Sequence, residues 1–367
     1  MKRAAVSVLI AFSLLAGCGS GPDTSSTEDT KAILEEDEFT EPGSDDNSDS
    51  LAASRCAEGQ PVEGRPLRVV TTIAPLTSLV GMMAAGTDIE VRGLVPAGSN
   101  IHAWTPGDGD VRSIQDADIV FTNGIGLEDA IVELTAAALP DTTGLCETGE
   151  ASFGRGAQLH SDSYPSVNNL ANPHAWLSPG TAMMYLNAIR NALSVRAPAA
   201  IPLLDENYVK LSALLQGIDA AMKEATATVP VRNRSLYTYH DAFVYVARAS
   251  GYGYLGAAQR PDMSDPDPLA VAAVAESLRA SSAPAVFGAR EWSSNVPAEI
   301  GGLLDVPFSA ELADEQLPGR PGESRHSLAG LIVENFVTMV GTLGGDPSAL
   351  RAVSLDLGIE DSATYAG

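Results

Sequence analysis

Short β-branched runs alternate with helical runs twice along this chain, and that alternation constrains its fold more than any other feature. LRVVTTI, residues 67–73, lies between Pro66 and Pro75 and reads as a buried strand. APLTSLVGMMAAG then reads as a helix, with Pro75 near its start and Gly86 near its end. DIEVRGLV (88–95) is a second strand, VRSIQDA a short helix, and DIVFTNG (118–124) a third strand. Strands and helices in this order predict a parallel sheet covered by helices. The rhythm returns in SLYTY (235–239), YGYLGA (252–257), PAVFGA (284–289) and VPFSA (306–310). The expected fold class is α/β, with two lobes that share no close sequence repeat.

Between the lobes, residues 199–229 predict one long helix. Leu204, Tyr208, Leu211, Leu215, Ile218, Met222 and Ala225 step by four and three and form one apolar stripe. Two readings fit that stripe: a coiled-coil dimer seam, or a helix packed along both lobes of its own chain. The second needs no partner and predicts a monomer.

The N-terminus reads as an export signal rather than part of the fold. Lys2 and Arg3 precede an apolar run from Ala4 to Leu15 that is too short for a membrane span. LAGC, residues 15–18, is similar to a bacterial lipobox, which implies cleavage before Cys18 and lipidation of that cysteine. The other reading is an ordinary secretory signal that ends near a cysteine. A lipid anchor would hold the protein on the outer face of the cell membrane.

Residues 19–64 carry thirteen acidic residues against Lys31 and Arg55, and few large apolar ones. Such a segment cannot bury enough apolar surface to offset its chain entropy, and it reads as a solubilising tether. Loose collection of cations by Glu35–Glu38 and Ser44–Asp49 is the alternative. The net charge of -25 excludes nucleic acid as a partner, because that needs a basic footprint. With Cys18 lipidated, Cys56 and Cys146 are left in an oxidising compartment, either as a disulfide or as two free thiols. No Cys-x-x-Cys pair supports a thiolate metal site.

The chain has five histidines, and three of them lie in distinctive loops. His102, in SNIHAWTP, follows the second strand of the first lobe. His174, in NPHAWLSP, precedes a helix that Pro179 should start. His240, in YTYHDAF, follows the first strand of the second lobe, and Asp314, in ELADEQL, follows its last strand. Ligands of open α/β sheets bind outside the carboxyl ends of the strands. Facing lobes would therefore gather these four residues in a cleft, and three imidazoles with a carboxylate suit Zn²⁺ or Mn²⁺. Any one of them alone could be an ordinary core or surface residue. His160, in a polar loop, and His326, expected to face solvent near a helix start, are assigned no role.

Taken in order, VVTTIAPLTSLV, GLVPAGSNIHAWTP, DIVFTNGIGLE, NPHAWLSP and YHDAFVYVARASGY resemble the metal-binding solute-binding lipoproteins of zinc and manganese ABC transporters. SDPDPLAVAAVAESLRASSAPAVFGARE and LADEQL extend the resemblance over most of residues 67–345. It implies a C-shaped protein of two α/β lobes joined by a rigid helix, with one metal in the cleft. The implied boundaries are a signal peptide at 1–18, a tether at 19–64, lobes at 65–197 and 231–367, and the linking helix at 198–230. The implied ligands are His102, His174, His240 and Asp314, with Glu291 of GAREW as a residue behind them or a spare ligand. The implied function is a lipid-anchored receptor that delivers the metal to a membrane permease.

The sequence also departs from the family pattern. Thr105 stands where an acidic residue usually precedes the proline after the first histidine. The long His-rich loop of many zinc-specific members is missing, whereas His240 at the third ligand position favours zinc over manganese. Residues 147–170 match no family block. Two other classes compete: a secreted zinc hydrolase, and a surface adhesin on the same scaffold. The chain has no His-Glu-x-x-His, and a ligating Asp314 would close the position that a hydrolase keeps open for water.

Overall fold

The computed structural model describes residues 56–96, 98–138, 144–153, 157–160 and 171–366. The signal segment, Cys18 and residues 19–55 of the tether lie outside the described residues. The described chain contains two four-stranded sheets, every strand parallel to its neighbours. In the first, β1 (Arg68–Thr71), β2 (Glu90–Gly93), β3 (Ile119–Thr122) and β4 (Gly144–Glu147) lie in the order β2-β1-β3-β4. In the second, β5 (Ser235–Thr238), β6 (Gly253–Ala257), β7 (Val286–Ala289) and β8 (Phe308–Leu312) repeat that order as β6-β5-β7-β8.

Burial follows position in the sheet. The inner strand β3, IVFT, is buried at every residue, as a parallel strand covered on both faces must be. The edge strand β2, EVRG, alternates exposed and buried. The first sheet has one strand more than the sequence predicts, because β4 is GLCE, in which only Leu145 and Cys146 are large and apolar. Four residues at a half-covered edge carry too little periodicity to stand out.

The sequence-predicted linking helix is α6 (Ile201–Thr228), 28 residues and about 42 Å long, after α1 (Ala74–Met83), α2 (Asp108–Gln115), α3 (Asp129–Ala138), α4 (Thr148–Ser152) and α5 (Pro179–Arg196). Its stripe is buried within its own chain, only Tyr208 being half-covered, so no coiled-coil partner is needed to cover it. Asn207 interrupts the apolar pattern for a reason: its Nδ2 donates to the carbonyls of Met83 (3.0 Å) and Ala85 (2.9 Å). The first belongs to the last residue of α1, where carbonyls have no partner within the helix, and the second lies just beyond it. The second lobe adds α7 (Val244–Ser250), α8 (Pro268–Ala280), α9 (Val296–Leu304), α10 (Leu328–Thr342) and α11 (Ser348–Arg351). One continuous apolar core runs from Cys56 through α6 to Leu350, and a smaller one lies around Val271, Leu278, Val286 and Ile300.

Two features close the ends of the described chain. Cys56 and Cys146 form a disulfide, with Cα atoms 4.5 Å apart. It fastens the chain just before the first strand to β4. At the other end, the chain beyond α11 does not stay with the second lobe. Gly93 N–H donates to Thr364 O and Thr364 N–H to Val91 O, both at 2.9 Å, so the tail covers the free edge of β2. Gly81 of α1 permits this approach, because a Cβ there would stand 2.7 Å from Ala363 Cβ. The tail also corrects the expectation for His326, which is half-buried, with its ring 4.9 Å from that of Tyr365. Among the described residues, no helix is long and apolar enough to cross a membrane.

Candidate metal centre

Loops beyond β2, β5 and β8, together with the turn that leads into α5, place the four sequence-predicted residues together. His102 lies in a short 3-10 turn, Ile101–Ala103, capped by Asn100, whose Oδ1 accepts from the His102 N–H at 3.0 Å. His174 immediately precedes a second 3-10 turn, Ala175–Leu177, which leads into α5. His240 and Asp314 each stand two residues beyond the ends of β5 and β8. His174, His240 and Asp314 are buried at 2%, 4% and 2% exposure, and His102 is half-buried at the mouth.

The donor atoms converge. His174 Nε2 and His240 Nε2 are 3.1 Å apart, and Asp314 Oδ2 is 3.8 Å from the first and 3.4 Å from the second. The ring of His102 has its centroid 5.7 Å from that of His174 and 5.5 Å from that of His240. One nitrogen from each of these three rings falls in a set within 4.8 Å of one another. Two donors on zinc bonds of 2.0–2.1 Å at a tetrahedral angle stand roughly 3.3 Å apart. The spacing of His174, His240 and Asp314 is therefore that of neighbouring ligands around one ion.

Hydrogen bonds behind the rings turn the Nε2 lone pairs inward. His174 Nδ1 is 3.1 Å from Asn172 Oδ1, and His240 Nδ1 is 2.6 Å from Gln259 Oε1. An amide oxygen only accepts, so each Nδ1 carries the proton and each Nε2 is left a lone pair. Two lone pairs facing each other at 3.1 Å, beside a carboxylate, leave three acceptors with no donor between them among the described residues. A cation satisfies all three. Asp314 Oδ1 and His102 Nε2 are likewise buried without a hydrogen-bond partner among the described residues.

Electrostatics keep the rings neutral. Burial, with His240 beside it, pushes His102 down to about 3. Burial likewise holds His174 well below the ordinary histidine value, and lowers His240 against the pull of Gln259 and nearby acids. Burial raises the Asp314 carboxyl above its ordinary value. Protons therefore compete with a metal at the carboxylate before they compete at the imidazoles. Between pH 7.5 and 6, metal affinity should accordingly fall by less than one proton's worth, about tenfold, per pH unit. Calorimetric titration across that range checks this, and a slope of two or three protons near pH 6.5 would show ordinary histidines instead.

Glu291 has a different part. Its Oε1 accepts from three successive backbone N–H groups, those of Asp314 (3.2 Å), Glu315 (3.3 Å) and Gln316 (2.8 Å). It shapes the loop that carries Asp314. Burial and the neighbouring Asp314 carboxylate push Glu291 up to about 8, so it holds its proton at neutral pH. Trp176 Nε1 donates to the Asp314 carbonyl at 2.8 Å and fixes the same loop from the other side. His240 stacks on Trp292 at 5.3 Å.

The centre opens into a cleft of about 530 Å³, lined by His102, His174, His240, Asp129, Glu150 and Asp241 among others. Of the other two histidines, His160 is exposed and His326 packs against the C-terminal tail. Sequence reasoning missed Gln259, which sits after β6 with no pattern around it, and Glu315, which was hidden beside Asp314. His174, Asp314 and Glu315 form a second group that could hold a metal. Asn172 was in view in NPHAWLSP, but only its fold contacts show its use.

Residues 69–318, more than half of the chain, match the family described as zinc-uptake complex component A, periplasmic. The chain belongs to this family. Among the relatives of this chain, the iron-binding protein YfeA of Yersinia pestis is 26% identical over 270 residues, covering 71% of this chain and 84% of YfeA. The manganese-binding lipoprotein MntA of Halalkalibacterium halodurans is 23% identical over 304 residues, covering 80% and 95%. The solved periplasmic zinc-binding protein TroA of Treponema pallidum matches the fold at a TM-score of 0.67, with 23% identity over 76% of this chain and 99% of TroA. The sequence-stated fold class holds: two parallel four-stranded sheets flanked by helices, in the two-lobed arrangement of these binding proteins.

Proposed function

We propose that this chain is the extracytoplasmic receptor of an ABC transporter and captures one divalent transition metal through His102, His174, His240 and Asp314. The observation that carries the reading is the convergence of two Nε2 lone pairs and one carboxylate oxygen within 3.1–3.8 Å, with no donor between them among the described residues. Membership of an uptake-complex family argues for delivery of the metal to a membrane permease rather than for catalysis. A fourth protein donor also leaves no open position for an activated water, so the hydrolase reading has no support. Relatives are named for zinc, manganese and iron, and their names leave the cargo open. Three imidazoles with one carboxylate favour Zn²⁺, with Mn²⁺ next, because nitrogen-rich tetrahedral sets suit zinc and oxygen-rich sets suit manganese. Lipid attachment at Cys18 completes the proposal, in line with relatives named as lipoproteins.

Titration with Zn²⁺ should saturate at one tight equivalent per chain. A metal that binds only the folded state stabilises it by about 4 kcal/mol at a thousandfold excess over its dissociation constant, so the melting temperature should rise with metal and fall with chelator. Two tight equivalents would move binding to the acidic tether, and removal of residues 19–54 would then abolish the second. No thermal shift with Zn²⁺, Mn²⁺, Fe²⁺, Co²⁺ or Ni²⁺ would contradict the receptor reading.

A further inference from the structure

Asn172 makes three side-chain hydrogen bonds behind the centre, to residues on both sides of it. It is 6% exposed. Its Oδ1 accepts from both the backbone N–H (3.0 Å) and the ring Nδ1 (3.1 Å) of His174. Its Nδ2 donates at 2.7 Å to the carbonyl of Asp241, the residue after His240. Its own N–H donates to Leu159 O at 2.8 Å, and its carbonyl accepts from the Tyr245 hydroxyl at 3.0 Å. No polar atom of the residue is idle.

These bonds cross from one lobe to the other. The next residue, Pro173, is tied to the first sheet, because Asn123 just past β3 donates Nδ2 to its carbonyl at 3.1 Å. Tyr185 of α5 in turn donates to Asn123 Oδ1 at 2.7 Å. Asp241, by contrast, sits at the carboxyl end of β5 and is held by Tyr254 of β6, whose hydroxyl donates to its Oδ1 at 2.8 Å. Gln259 offers the comparison. It orients His240 in the same way, yet its Nε2 donates to Met263 O at 3.0 Å, within its own lobe.

We infer that Asn172 is a positioning residue that couples the direction of the His174 donor to contact between the lobes. Its amide oxygen fixes the ring, and its amide nitrogen grips the loop that carries His240. Separation of the lobes at this point breaks the Asp241 bond and frees the amide that holds His174. A partner that pulls the lobes apart therefore loosens a ligand in the same movement, and that movement releases the metal. The inference rests on the metal-receptor reading for its consequence, but the orientation of His174 is a property of the metal-free protein.

Two substitutions separate the two halves of the amide. Asn172→Asp keeps the acceptor for His174 and loses the donor to Asp241. Asn172→Leu, similar in size, loses both. Nitrogen-15 spectra of the metal-free proteins report the tautomer of His174, and Zn²⁺ titration with chelator-driven release gives the equilibrium and rate constants. Wild type and Asn172→Asp should both show the Nδ1–H tautomer, and Asn172→Leu a mixture. Asn172→Leu should bind Zn²⁺ about 10 to 100-fold more weakly, the usual cost of removing a residue that orients a ligand. Asn172→Asp should stay within about tenfold of wild type in affinity while both association and release become faster, since the bond from this amide to Asp241 is gone while the Tyr245 bond to the backbone of residue 172 remains. Should Asn172→Leu not fold, the tautomer and rates of Asn172→Asp still decide. An unchanged tautomer in Asn172→Leu, or Asn172→Asp release at the wild-type rate, overturns the inference. If wild type takes up no Zn²⁺, the receptor reading fails, and the tautomer result alone judges the role of Asn172.

Discussion

Asp314→Asn should weaken Zn²⁺ binding by about 100 to 1,000-fold and at the same time raise the melting temperature of the metal-free protein. The first effect follows from dividing the roughly 10–16 kcal/mol of a four-donor zinc site among its donors, which leaves about 2.5–4 kcal/mol for each. The second follows from burial. Asp314 is 2% exposed, and its Oδ1 has no hydrogen-bond partner among the described residues. Burial raises its folded-state pKa above the unfolded value. The stability of such a carboxyl is fully present below the unfolded pKa and is lost as pH rises through the folded one. At pH 7.5 the ionised side chain therefore costs the metal-free protein stability that a neutral amide does not. The gain should be on the order of 1 kcal/mol, or about 2–4 °C, and should vanish toward pH 4. Glu291→Gln should cost only about 10 to 100-fold in affinity, because an amide oxygen can still accept from the backbone N–H groups of Asp314, Glu315 and Gln316. Calorimetry with and without metal checks both signs. Tight binding by Asp314→Asn together with abolished binding by Glu291→Gln would exchange the two roles.

Cys56→Ser with Cys146→Ser should lower stability by about 4–5 kcal/mol, the loop-closure entropy of a cross-link between residues 90 apart in sequence. That amounts to about 10–20 °C in melting temperature. The bridge belongs to a small knot at the start of the fold. Arg196, 2% exposed at the end of α5, donates from Nη1 to Cys56 O at 3.1 Å, and its carbonyl accepts from Val62 N–H at 2.8 Å. The folded fraction should keep its metal affinity, because none of the four donors belongs to this knot. Denaturant unfolding with and without reductant measures the first part, and Zn²⁺ titration of the serine protein the second. A reduced protein as stable as the oxidised one would show that Arg196 and the core hold this end without the cross-link.

Much of this architecture was legible because buried parallel strands are written in β-branched residues. LRVVTTI and DIVFTNG gave β1 and β3 to within a few residues, and the four strands of the second lobe read equally well. GLCE was not legible, since an edge strand of four residues needs little apolar character. The stripe on α6 was legible, whereas Asn207 within it was not, because capping another helix's carbonyls is a contact and not a pattern. The three histidines and Asp314 could be singled out by their places after strands and before a helix. Asn172 and Gln259 could not be given roles, because an amide that orients a ring by a single hydrogen bond has no required spacing from it: the first lies two residues from its histidine and the second nineteen. The return of the tail to β2 was illegible for a similar reason. Residues 352–366 form no helix, and Thr364 pairs with a strand more than two hundred residues earlier.

The central claim, one metal held by residues of both lobes, is tested most directly by anomalous diffraction at the zinc edge from crystals grown with one equivalent of Zn²⁺. The account predicts a single strong peak about 2.0–2.2 Å from His102 Nε2, His174 Nε2, His240 Nε2 and an Asp314 oxygen. A peak bound instead by Glu315, Glu150 or Asp129, or two peaks of equal height, would contradict it.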